Sequence, residues 1–233
     1  VPVEIPNSVR TSGDFNHFLW VREEWKNNFP AECQEIFLPD ERTGEKHIAD
    51  VRTSQGLVIE FQHSHIQPKE RTSREKFYRN MVWVVDGTRL KRDYQRFLKH
   101  KENFHVVKDG IFKVDDSEEC FHPSWIGSSV PVIFDFGNGN LGERNDTPIN
   151  LYCLLPIQIG RYSFVAEVSR KAFIKSTLSG EWSPRIDNFL RQLFQVKQEW
   201  DDQIEKQRRL QDNINFQRFS RAMRYKRGRR LWV

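Results

Sequence analysis

An α/β fold, with a mixed central sheet flanked by helices and a basic helical C-terminal extension, is predicted by three features of the sequence. Residues 46–62 read as two strands around a turn, the second rich in β-branched residues. Residues 68–81 read as a helix. Residues 82–85, Val82-Trp83-Val84-Val85, follow as the continuous apolar run of a strand buried on both faces. After Ser183-Pro184 the composition shifts to a long helical stretch, about residues 185–224, that ends among clustered arginines.

The first of these features also carries chemistry. Gln55-Gly56 suits a hairpin turn. In the strand that follows, Leu57, Ile59 and Phe61 point to one face and Val58, Glu60 and Gln62 to the other. A partner strand ending in Asp50 brings a second carboxylate beside Glu60. Two carboxylates and an amide on adjoining strands suit a hard cation such as Mg²⁺. The same spacing equally describes the solvent face of an antiparallel hairpin.

HIADV, then IEFQHS, then a helix bearing Arg74 and Tyr78, then MVWVVDG closely resemble the competence protein CoiA-like nuclease family. That family lies within the PD-(D/E)XK restriction-endonuclease-like superfamily. The resemblance is densest over residues 45–87 and looser through 87–93, 131–137 and 151–156. It implies a restriction-endonuclease-like core and a Mg²⁺-dependent deoxyribonuclease, with Mn²⁺ as an alternative ion. Asp50 and Glu60 would be the metal ligands, and Gln62 stands where many superfamily members have Lys. An amide can hydrogen-bond water or phosphate but cannot take a proton or supply charge. Arg74 would contact a phosphate, and Tyr78 would stack or hydrogen-bond. The expected setting is DNA uptake, recombination or phage defence; the alternative is an inactive nuclease-like protein that only binds nucleic acid.

The remaining residues are read in chain order. Residues 15–28 form a first helix capped by Ser12 or Asp14 and stopped by Pro30. In the superfamily such a helix often adds an auxiliary acid, which singles out Glu23 and Glu24, with Glu24 preferred. Residues 33–38 read as the first strand, where Glu35 is the second auxiliary candidate. His47 is a structural residue. His63 and Ser64, just past a strand end, are candidates for contacting phosphate or water. Zinc at His63 and His65 is rejected for want of a matching cluster. Residues 88–101 make a basic helix, and Asp109-Gly110 a turn between short strands. Residues 115–130 are a polar loop. Asp135, on strand 132–136, reads as a surface acid near a turn.

The tail, with Arg224 and Arg227 among its basic residues, is a candidate contact for single- or double-stranded DNA. Its helices could also dock a protein partner. The expected division is a nuclease-like domain at 1–183 and an extension at 184–233. A 37% hydrophobic content with 18 Phe and 7 Trp supports a real core, and the net charge of +5 suits a polyanionic partner. There is no signal-peptide core and no apolar run long enough to span a membrane. Three scattered cysteines fit a reducing cytoplasm.

Overall fold

The computed structural model describes residues 23–39, 44, 46–137 and 150–229. It has two compact units, Val1–Asn188 and Phe189–Val233. Among the described residues of the first, nine strands form one mixed sheet. These are β1 (Gln34–Pro39), β2 (Lys46–Arg52), β3 (Val58–Gln62), β4 (Met81–Asp86), β5 (His105–Lys108), β6 (Ile111–Asp115), β7 (Val132–Asp135), β8 (Asn150–Ile159) and β9 (Tyr162–Ser169). Their spatial order is β1-β2-β3-β4-β7-β8-β9-β6-β5. The central β3, β4 and β7 run parallel and the other neighbouring pairs antiparallel. The helices are α1 (Pro68–Tyr78), α2 (Lys91–Lys101), α3 (Ser117–Cys120), α4 (Arg170–Leu178) and α5 (Trp182–Arg229). The α/β class with its mixed sheet and C-terminal helix is the one the sequence predicts.

The β2–β3 hairpin closes as expected. Gly56 sits at φ +83°, where glycine is favoured, and its N–H donates to the Thr53 carbonyl. The register β3–β4–β7 aligns Glu60, Trp83 and Val132 on one face, and Phe61, Val84 and Ile133 on the other. On the first face Val58, Trp83, Val132, Phe134 and Tyr152 pack with Phe97 of α2, Phe121 and Trp125. The opposite face is closed by Trp25, from a helical turn over residues 23–26, and by Phe173 of α4. Trp25 stacks on Phe61 with ring centres 5.7 Å apart and meets Phe173 edge-on at 6.0 Å.

Several boundaries differ from the sequence reading. The part of the first helix before residue 23 lies outside the described residues. Helix α1 ends at Tyr78, and Met81 instead opens β4 as a core residue. The 115–130 segment holds α3 and a short 3-10 turn, Pro123–Trp125. Residues 170–178 are helical. The C-terminal stretch is one continuous helix, with Pro184 in its first turn, where its missing N–H removes no helical bond.

Helix α1 is anchored by two buried charged side chains. Arg71 and Glu75 are buried. The Glu75 carboxylate accepts from the Ser128 hydroxyl (2.8 Å), the Ser129 N–H (3.0 Å), the Ser129 hydroxyl (2.7 Å) and the Trp83 indole N–H (3.3 Å), and pairs with Arg71 at 3.2 Å. Arg71 in turn donates to the Ser124 carbonyl. Glu75→Ala strands all of these donors, so it should destabilise the fold by about 3–5 kcal/mol. Urea unfolding would check this; a loss under about 1 kcal/mol would show the cluster to be incidental.

Candidate active site

The site forms where β2 and β3 diverge. Their ladder pairs Val51 with Ile59 and Arg52 with Val58, and ends there. One residue further on, Asp50 replaces the missing backbone acceptor: its Oδ2 takes the Phe61 N–H at 2.9 Å. The backbone across from Asp50 is also irregular, because Glu35, between the paired Gln34 and Ile36 of β1, adopts φ +51°. Asp50 is 5% exposed and Glu60 3% exposed.

Glu60 projects onto the α1 side of the sheet. Its Oε2 accepts from Arg74 at 2.8 Å, and Arg74 also donates to Glu70 at 2.9 Å. The buried Oε1 of Glu60 has no hydrogen-bond partner among the described residues. Burial, and then the nearby Asp50 charge, push the Glu60 carboxyl up to about 7, while Arg74 works in the other direction. The Tyr78 phenol adjoins this carboxylate and is itself shifted upward, first by burial and then by the Glu60 charge. Arg74 feels burial as a lowering influence, but Glu60 and Glu70 outweigh it and its pKa is raised.

The other sequence candidates are distributed differently. Gln62 turns its amide N–H groups to the Ser64 carbonyl (2.7 Å) and hydroxyl (3.2 Å), so Gln62 and Ser64 brace each other at the β3 exit. His63 Nδ1 meets Asp86 Oδ2 at 2.7 Å. His47 packs at a tilt against Phe77 with ring centres 4.2 Å apart. Glu35 is largely exposed and pairs with Lys26 at 2.6 Å. Glu24 binds Arg170.

Arg170 also binds Asp135 and lies over the Trp25 ring at 4.4 Å. The Trp25 indole N–H donates to Asp135 at 2.9 Å. Asp135 is therefore a buried network residue, not the surface acid expected. Its register puts it on the Phe61 face, across the sheet from Glu60, so this network and Glu24 with it lie away from the Asp50–Glu60 pair. The side chains of Arg224 and Arg227 lie outside the described residues.

Residues 46–108 match the family model of the competence protein CoiA, nuclease-like domain. Over that segment the chain is similar to the CoiA nuclease-like domain. No curated protein and no solved structure matches it. The CoiA-like segment spans β2 through β5 and contains Asp50, Glu60, Gln62, Arg74, Tyr78 and Asp86. Glu24, Glu35, Asp135 and Arg170 fall outside it. Glu75 and Arg71 were missed by the sequence reading, and their i,i+4 spacing on α1 was the only available signal.

The donor set fits a hard cation in one respect: two adjacent buried carboxylates, one with an open oxygen, concentrate negative charge. Among the described residues no group of three or more His, Cys, Asp and Glu side chains is placed to hold a metal. An ion held by these two carboxylates would have to draw its remaining ligands from water or a bound phosphate.

Because Glu60 holds its proton more tightly in the folded chain, its stabilising contribution is fully present below pH 4.5 and is lost as pH rises through about 7. Glu60→Gln should remove that loss, on the order of 3 kcal/mol, in the metal-free protein. Unfolding midpoints measured across this pH window, with chelator present, provide the check; parallel profiles for both proteins would contradict it.

Proposed function

We propose that this CoiA-like protein is a metal-dependent nuclease that hydrolyses phosphodiester bonds of DNA. The observation that carries the reading is the buried Asp50–Glu60 pair with its open Oε1, inside the CoiA nuclease-like segment. Asp50 and Glu60 would hold Mg²⁺ or Mn²⁺. When bound, such an ion lowers the pKa of a coordinated water and offsets charge on the phosphate.

The chain's own residues set the stage for that chemistry. The Phe61 N–H fixes the Asp50 carboxylate in one orientation. Arg74 does the same for Glu60 and favours its ionised form, the form a metal requires. The second guanidinium contact of Arg74 goes to the exposed Glu70, a partner that an incoming phosphate can displace. With its amide bonded to Ser64, Gln62 supports the loop at the β3 exit, and activating a water would fall to an ion held by Asp50 and Glu60. Arg92 and Lys99 of α2 point outward and supply sequence-independent attraction for the DNA backbone. DNA uptake, recombination and phage defence are the settings in which such an activity would serve.

A second reading, a nucleic-acid-binding protein on an inactive nuclease scaffold, is favoured by one observation: Arg74 already neutralises Glu60. The two readings separate in a cleavage assay on single- and double-stranded DNA with Mg²⁺, Mn²⁺ or EDTA. Metal-dependent products should fall by on the order of a thousandfold in Asp50→Ala and in Glu60→Ala, equivalent to about 4 kcal/mol of barrier, with DNA binding retained. Salt-sensitive binding by the wild type without turnover would establish the second reading instead.

A further inference from the structure

We propose that residues 196–214 of α5 form an antiparallel two-stranded coiled coil with the same segment of a second copy of this chain. At about 100° per residue, Val196, Trp200, Ile204, Leu210 and Ile214 fall within roughly 120° of one another on the helix. All five are exposed; Trp200 is 41% exposed and Leu210 62%. The spacing Val196, Trp200, Gln203, Gln207, Leu210, Ile214 alternates by three and four, the repeat that a left-handed coiled coil requires. Only uncharged glutamines, Gln203, Gln207 and Gln211, fill the rest of this stripe. The charged residues lie on the other side or at the margins, where they pair along the helix: Lys197 with Asp201 at 3.2 Å, and Arg209 with Glu205. Phe194, Phe216 and Phe219 project from the far side and take no part.

Charge selects the partner and its direction. Residues 198–205 contain Glu199, Asp201, Asp202 and Glu205 and no Lys or Arg; residues 206–211 contain Lys206, Arg208 and Arg209 and no acid. A parallel pair would lay the acidic block on its copy. An antiparallel pair lays it along the basic block. With the twofold axis at residue 205, Trp200 meets Leu210 of the second copy and Val196 meets its Ile214. The same register puts Gln203 level with Gln207 in two symmetry-related polar layers at the centre, and buried polar layers fix register in such assemblies. It also puts Asp201 and Asp202 level with Arg209 and Arg208. Val196, Trp200, Leu210 and Ile214 each find an apolar partner, Ile204 lies beside the axis, and the charge blocks complement each other, so the segment is its own complement.

The full-length chain should sediment as a dimer at tens of micromolar, and the pair Trp200→Glu, Leu210→Glu should raise the dimer Kd by about a hundredfold or more while far-UV circular dichroism stays helical. On a Cys33→Ser background, mixing Val196→Cys with Ile214→Cys protein should give the mixed disulfide on mild oxidation. A wild-type monomer at that concentration, or a dimer indifferent to the two glutamates, would overturn the proposal. Disulfide formation by Ile214→Cys alone in preference to the mixture would overturn the antiparallel arrangement.

Discussion

A carboxylate on an interior strand of a sheet needs a cation, and much of this molecule is arranged to deliver one. Glu60 is buried next to a second acid, an arrangement that raises its proton affinity and resists ionisation. Arg74 answers that charge, and Arg74 sits on α1, whose position depends on the Glu75 and Arg71 contacts with the 124–129 segment. The polar interior thus forms a chain of dependence that runs from the anchor loop through α1 to the site. Loss of any link would be felt at Glu60 before it was felt at the surface.

The opposite face of the sheet solves a comparable problem with different partners. Asp135 is buried on β7, and there Arg170 and the Trp25 indole satisfy it, with Glu24 completing the network. The two acid clusters flank the same parallel strands yet differ in kind. In one, hydrogen bonds and ion pairs reach both Asp135 oxygens, since the Gly137 N–H takes Oδ1 at 2.9 Å. In the other, one Glu60 oxygen is left open. An acid with both oxygens partnered is what a structural network needs, whereas an open oxygen is what ligand exchange needs.

How legible this was in the sequence follows the distance between partners. The 46–62 hairpin, with Asp50 and Glu60, could be read because turn, alternation and acids lie within a few residues of one another. Arg74 and Tyr78 could be placed on one helix face for the same reason. Glu24 and, in second place, Glu35 both read as auxiliary acids, yet one is taken by Arg170 and the other by Lys26, and no local pattern distinguishes those fates. Asp135, two residues before Gly137, looks like turn surface until Arg170 and Trp25 arrive from distant parts of the chain. Arg71 and Glu75 look like any solvated i,i+4 pair because the serines that receive Glu75 lie more than fifty residues away.

The Glu24–Arg170 contact joins residues 146 positions apart. Contacts of such separation form late, after the local hairpins and helices, because a long loop must close first. During synthesis the Glu60 side of the sheet can gather most of its partners from residues 46–137, whereas the Trp25 turn meets Phe61 and Asp135 early but lacks Arg170 and Phe173 until α4 has been made. The nascent chain therefore passes through a stage in which one face of the sheet is covered and the other still lacks Phe173 and the rest of α4. At that stage the chain would be a substrate for chaperones that bind apolar surface.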